Sequence, residues 1–226
     1  MIQPLRHKTV VATGAAAGAG LACARRFAQD GAHVVLADAD AVRGKAAVRE
    51  MVARGQSAIF VRADAAEQGA LAALAARAAG IFGSLDILLS GAGSTPDTRC
   101  HAALEAGREA ARTMIAGGAG GVIINLAALA AIQTVPDLVA EAVACHGIGA
   151  LTQAMAAELA PHGIRVNAVG AGSLFSRMGR GSGLEAMAEV AIWLAGPQAA
   201  GLGGRMLHPG DSRVARSTVA DQAGTA

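Results

Sequence analysis

The sequence predicts an α/β protein built on a single parallel, doubly wound sheet, and three observations carry that expectation. Short β-branched runs alternate with longer alanine-rich stretches of helical length along nearly the whole chain. Hydrophobic residues make up 53% of the 226 residues but aromatics only 2%, so the core is aliphatic and helices can lie close on a sheet. A glycine-rich turn joins the first β-branched run to the first helical stretch. Strands separated by helices cannot pair as hairpins; they pair in parallel and need cover on both faces.

Taken in order, the strands are expected at Thr9–Thr13, His33–Asp38, Ala58–Arg62, Asp86–Ser90, Gly121–Leu126, Ile164–Val169 and Arg205–His208. Each is a short apolar, largely β-branched run bounded by turn-forming or polar residues. Between them, helices are expected over 18–30, 41–54, 66–82, 100–116, 138–160 and 184–195. Crossovers of this length are right-handed almost without exception, which limits about seven strands to a Rossmann-type sheet. No repeat or linker divides the chain, so residues 1–212 read as one domain. Residues 213–226 (RVARSTVADQAGTA) lack a core stripe and read as a polar tail.

Composition excludes several function classes. The net charge is +2 with Lys and Arg scattered, so there is no basic tract for nucleic acid. Cys23, Cys100 and Cys145 are odd in number and lack C-x-x-C spacing, and no metal site is expected. They read as buried thiols of a reducing compartment. The apolar run at the start is too short for a signal-peptide core. The longest apolar stretch, Val122–Ile132, contains Asn125 and falls short of the roughly 18–20 residues a membrane span needs. A cytoplasmic protein with no membrane contact is the expectation.

The turn Thr13-Gly14-Ala15-Ala16-Ala17-Gly18-Ala19-Gly20 leaves a strand and opens a helix. Gly14 permits the tight turn, Gly18 lets the backbone approach a pyrophosphate, and Gly20 lets the helix sit close to the sheet. The N–H groups of Ala16, Ala17 and Ala19 and the helix dipole then face the phosphates. Asp38 ends the second strand, 18 residues after Gly20, where a carboxylate accepts hydrogen bonds from an adenosine ribose. That carboxylate favours NAD over NADP, with Arg43 as the nearby cation. The alternative role for Asp38 is to start the helix that follows.

With those residues in place, the chain resembles the short-chain dehydrogenase/reductase family from about Lys8 to Gly210. The T-G-x-x-x-G-x-G spacing is that family's variant of the turn. Asp64-Ala65 is similar to its adenine-contacting pair. Leu85–Gly93 (LDILLSGAG) resembles L-D-x-L-V-N-N-A-G, with Ser90 and Gly91 where two asparagines usually stand and Ala92 next to them. Val122–Leu126, Glu158–Val169 and Gly203–Gly210 resemble the fifth, sixth and last strands with their flanks. The resemblance therefore implies cofactor contacts at Gly14, Ala16, Ala17, Gly18, Ala19, Gly20, Asp38, Asp64, Ala65, Ser90, Gly91 and Ala92.

The same resemblance implies a Ser after the fifth strand and a Tyr and Lys one turn apart on the next helix. The positions that match hold Ala128, Glu141 and Cys145, and Arg99 falls near a fourth family residue, an Asn. The chain has no Tyr at all and no Lys beyond Lys45. The connection from Gly93 into its helix, and Gly170–Gly183 after the sixth strand, are shorter than the family pattern. No catalytic residue is therefore assigned.

Glu141 is the sharpest candidate base for alcohol oxidation, with an interface or surface carboxylate as its plainer role, and His146 is a second candidate base whose plainer role is a satisfied or exposed histidine. Adjacent helical residues do not face each other, so His146 and Cys145 form no thiol–imidazole pair. Cys145 reads as a small buried hydrophobe and Ser173 as a lining residue. Gly147, Gly149, Ala150 and Ala154 suggest close helix–helix approach, which in the family lies at a subunit interface.

The leading expectation is a non-catalytic NAD-binding protein, in a homodimer, homotetramer or hetero-oligomer with an active paralogue. An NAD-dependent alcohol/ketone oxidoreductase using Glu141 is the second. A structural subunit that no longer binds nucleotide is the third.

Overall fold

The computed structural model describes residues 5–64, 67, 69–91, 95–127, 139–170 and 180–209. The strands are β1 (Thr9–Thr13), β2 (His33–Asp38), β3 (Ala58–Arg62), β4 (Ile87–Ser90), β5 (Gly121–Ala127), β6 (Ile164–Gly170) and β7 (Met206–Leu207). The helices between them are α1 (Gly18–Gln29), α2 (Ala41–Ala53), α3 (Ala70–Phe82), α4 (Pro96–Gly117), α5 (Val139–Leu159) and α6 (Arg180–Ala195). The seven described strands form one parallel sheet in the order β3-β2-β1-β4-β5-β6-β7. The expected single-domain Rossmann-type fold is therefore the observed one.

Alternation along the strands builds the two layers. Val10, Ala12, Val34, Leu36, Ile87 and Leu89 face the cluster that takes residues from α1, α2 and α6. Their neighbours Val11, Val35, Leu88 and Ile123 face α3, α4 and α5. Both sets are buried, which is why the strands read as continuous apolar runs. Close helix contact is visible at Gly44 of α2, where an added Cβ would lie 2.1 Å from the Phe60 ring on β3.

Several boundaries depart from expectation for local reasons. α3 begins at Ala70 because Gly69 adopts φ +79°, which no right-handed helix continues through. α4 begins at Pro96 because Thr95 caps it in a reciprocal box with Thr98 and proline sits in the first turn. β7 is cut to two residues: the Arg205 N–H bonds the Asn167 side chain at 3.1 Å, and Pro209 follows closely. α6 starts at Arg180, four residues earlier than the pattern suggested. The tail at 213–226 lies outside the described residues.

Candidate functional site

Going outward from β1, the chain order runs to β2 on one side and jumps to β4 on the other. A doubly wound sheet opens a crevice at such a switch point, outside the carboxyl ends of the strands. The glycine turn leaves β1 into that crevice, with φ +61° at Gly14 and +59° at Gly18. At Gly20 an added Cβ would lie 2.5 Å from the Gly14 carbonyl oxygen. The close approach expected against the sheet is thus made against the turn itself. A Cβ on Gly18 would meet nothing within 4 Å, so space adjoins the turn there.

The N-terminus of α1 also has no side-chain cap and no acidic residue in its first turn. α3 starts from Gly69 with no side-chain cap either, but α2 and α4 differ. Asp40 caps α2 by accepting from the N–H groups of Val42 and Arg43 at 3.1 and 3.0 Å, and Thr95 caps α4. Free first-turn N–H groups at a positive dipole end suit an anion.

Asp38 lies at the end of β2, beside the turn. Its Oδ2 accepts from the Ala16 N–H at 2.9 Å and its Oδ1 from the Asp40 N–H at 2.9 Å. A carboxylate has about four acceptor positions, so both oxygens keep capacity for hydroxyl donors. The N-cap of the next helix is Asp40, and Asp38 leads into it by holding the Asp40 N–H. Arg43 pairs with Asp40 at 3.5 Å and is largely exposed.

Asp64 follows β3, just beyond Ala63, whose N–H bonds the Asp38 carbonyl at 3.2 Å. Ser90 ends β4 and is buried, with no partner for its hydroxyl among the described residues. The Gly91 N–H reaches Thr13 O at 3.1 Å, and a Cβ there would lie 3.1 Å from the same oxygen. One edge of the sheet therefore gathers the 14–20 turn, Asp38, Asp64, Ser90 and Gly91. Ala65 and Ala92 lie outside the described residues.

Across the sheet, the first turns of α4 and α5 meet. Arg99 donates to Glu141 through Nη1–H to Oε2 at 2.7 Å, with side chains only 16% and 30% exposed. The sequence reading singled out both positions but not their pairing, because the contact joins residues 42 positions apart and depends on how their helices dock. Cys145 is buried with Ala127, Ile148 and Ala168, as a small hydrophobe would be. His146 is exposed, and its Nδ1 lies 2.8 Å from the Ala142 carbonyl. Ala128 and Ser173 lie outside the described residues.

None of the three cysteines is in a disulfide, and Cys23 and Cys145 are buried as expected. Burial pushes the Cys23 thiol up to about 12. Cys100 is only half-buried; burial raises its pKa while the Arg99 charge pulls the other way. Its Sγ–H donates to the Ala144 carbonyl at 3.3 Å and sits where a Cβ on Gly147 would be, 2.6 Å away. Gly147 thus has a packing reason in α4 of the same chain. A Cβ on Gly149 would meet Met206 at an ordinary 3.6 Å, and Ala150 and Ala154 remain exposed.

Sequence reasoning missed one polar chain below this cleft. Asn125 Nδ2–H donates to Thr152 Oγ1 at 2.9 Å, and that hydroxyl donates to the Ile148 carbonyl at 2.7 Å. The signal was a fully buried Asn inside an apolar strand. Among the described residues no group of His, Cys, Asp and Glu could hold a metal, and no helix is long and apolar enough to cross a membrane.

Comparison with known proteins agrees with this architecture. A family model described as short chain dehydrogenase matches residues 8–185. L-rhamnose 1-dehydrogenase (NAD(P)(+)) of Azotobacter vinelandii is 36% identical over 199 residues, covering 75% of this chain and 74% of the relative. 3beta-hydroxysteroid dehydrogenase 1 of Eggerthella lenta is 30% identical over 255 residues, covering 93% of this chain and 98% of the relative. Among solved structures, a short chain dehydrogenase from Mycobacterium smegmatis superposes with a TM-score of 0.85 at 26% identity, covering 93% of this chain and 94% of the other.

Proposed function

The chain belongs to the short-chain dehydrogenase family, and from that premise we propose that it binds NAD(H) without a dehydrogenase reaction of its own. It acts as a non-catalytic subunit, paired with itself or with an active paralogue, in the cytoplasm. The observation that carries this reading is the Arg99–Glu141 pair. At the position matching the family tyrosine, the side chain is a carboxylate with Oε2 held by a guanidinium at 2.7 Å. A proton relay needs a hydroxyl or a free base there, with a cation one turn on. This chain has no tyrosine, and the turn below holds Cys145, buried against the sheet.

The nucleotide side fits its ligand by contrast. Open space beside Gly18, the capless α1 and the spare acceptor positions of Asp38 suit a pyrophosphate and a ribose diol. The backbone of Gly14, Ala17, Gly18, Ala19 and Gly20 would hold the phosphates and Asp38 the ribose, while the Ala16 N–H, already given to Asp38, would fix that carboxylate beside the nucleotide. Asp64 and Ala65 would flank the adenine, and Ser90, Gly91 and Ala92 the nicotinamide side. A bound nicotinamide supplies a hydride acceptor or donor; nothing described here supplies the matching proton. The alignment to the Eggerthella lenta relative is longer than this chain, so that relative carries segments with no counterpart here.

NADH fluorescence enhancement tests the binding half, and a saturable signal is expected. No saturation at millimolar NADH would leave only the structural subunit. Asp38→Ala should weaken NADH about tenfold, near 1.4 kcal/mol, and narrow its preference over NADPH. A second reading is favoured by the dehydrogenase names of the relatives: Glu141, whose Oε1 is not used in the pair, acts as base in alcohol oxidation. A panel of alcohols and ketones decides between them. No turnover is expected; turnover abolished in Glu141→Gln would establish the second reading. Native mass spectrometry of protein from its own host tests the partner.

A further inference from the structure

The opposite end of the sheet holds a cavity of about 390 Å³, at the starts of β1, β2 and β3 and the ends of α1 and α2. Arg6, His7, His33 and Arg54 line it, with Ser57 and Gln29, and no carboxylate is among its lining residues. Neither arginine forms an ion pair among the described residues, whereas the neighbouring acids are engaged. Asp30 pairs with Arg26 at 3.3 Å and Asp86 with Lys8 at 2.7 Å. The geometry points to a binding site here for a phosphate group carried by a small molecule.

The plainer account of such basic residues is that they complement the carbonyl ends of α1 and α2. The structure gives that task to the backbone. Behind α1, the N–H groups of Asp30, Gly31 and Ala32 reach the carbonyls of Arg26, Ala28 and Phe27, each at 3.1 Å. Behind α2, those of Arg54, Gly55 and Gln56 reach Met51 or Val52 at 2.9–3.1 Å. None of these five carbonyls is left to Arg6 or Arg54.

The imidazoles are also held in place. His33 stacks on Phe82 with centroids 4.9 Å apart and planes 7° apart, and its Nδ1 is hydrogen-bonded to Ser57 at 2.8 Å. His7 lies 6.1 Å from His33 and has φ +67°, the one positive φ outside glycine among the described residues. Side chains rarely adopt that conformation, and it is kept here at the cavity wall. Two guanidiniums with planar donor forks and two imidazole rings around a cavity of small-molecule size match a phosphate ester.

The test is titration with inorganic phosphate and with phenyl phosphate at constant ionic strength, chloride being the balancing ion. Calorimetry reads the affinity, and the ring-proton NMR signals of His7 and His33 report the place. Saturable binding that moves those two histidines is expected. Arg6→Gln with Arg54→Gln should weaken it at least tenfold while NADH binding stays unchanged. Tighter binding of phenyl phosphate than of phosphate would mean that the cavity receives the organic part, and equal binding that the phosphate group alone is recognised. Binding no different from chloride screening overturns the proposal. So does saturable binding that leaves both histidine signals still, which places the anion at the glycine turn.

Discussion

Around the glycine turn the chain leaves hydrogen-bonding groups open, whereas at the facing turns of α4 and α5 it closes them. The α1 N-terminus has no cap, Asp38 keeps unused acceptor positions, and space adjoins Gly18. Across the sheet, Glu141 is held by Arg99, Cys100 donates to the Ala144 carbonyl, and Cys145 is packed into the core. Both regions stand on one continuous sheet, so the difference cannot come from folding quality. A binding site needs polar groups that are positioned but unsatisfied, and a packed interface needs the reverse. The first region keeps the physical requirements of a site; the second meets those of a helix–helix contact.

The largest effect should come from filling the tight approach in the open region. Gly20→Val would put side-chain atoms into the Gly14 carbonyl, already 2.5 Å from a bare Cβ. Overpacking of this kind costs about 1–3 kcal/mol, and the displaced turn should lose NADH binding at least a hundredfold. Chemical denaturation and NADH titration read the two losses separately. Unaltered NADH affinity in a folded Gly20→Val protein would mean that the turn is not the cofactor's seat.

Much of this contrast was visible before the structure, and unevenly so. The strands and the turn were legible because fully buried parallel strands are apolar on both faces, which removes the usual ambiguity of register. The place of Asp38 at the end of β2 was legible from its distance to the glycine turn, and Asp64 was singled out by the family resemblance. The start of α4 was encoded in Thr95, Pro96 and Thr98, a capping signal that helical periodicity alone passes over. What the chain could not reveal were contacts made by docking. Glycines 147 and 149 pointed to close helix packing, and Gly147 packs on Cys100 of α4 in the same chain, a neighbour that spacing alone does not name. Arg99 and Glu141 each looked like a substitution at a lost position, and only the approach of two helices joins them.

That pair supplies the next test. Removing either charge leaves the other mostly buried and alone, which should cost about 1–2 kcal/mol, and a chain of this length then melts lower by roughly 2–4 °C per kcal/mol. In a double-mutant cycle, Arg99→Leu with Glu141→Leu should lose less than the sum of the single changes, with a coupling near 1 kcal/mol. NADH affinity should stay within about twofold throughout, because the two regions share no hydrogen bond among the described residues. A coupling of zero would reduce the pair to a surface contact and take away the closed half of the comparison.

The smallest effect lies at the seam between the regions, where β1 pairs with β4. Asp86 stands just before β4; burial pushes its carboxyl up, but hydrogen bonds from Lys8, the Thr9 N–H and Ser84 outweigh that and leave it below the usual carboxylate value. A folded-state value below the unfolded one adds stability at any pH above the ordinary Asp value of about 3.9. That stability disappears as the pH falls through the lowered folded value. Lys8 is half exposed, so the ion pair itself adds about 1 kcal/mol or less. Asp86→Asn should therefore lower the melting temperature by a few degrees at pH 7 and flatten the acid limb of the stability curve. Because Asp86 serves both regions from beneath, the substitution should leave NADH affinity and the Arg99–Glu141 coupling unchanged. A change in only one of them would show that the seam belongs to that region alone.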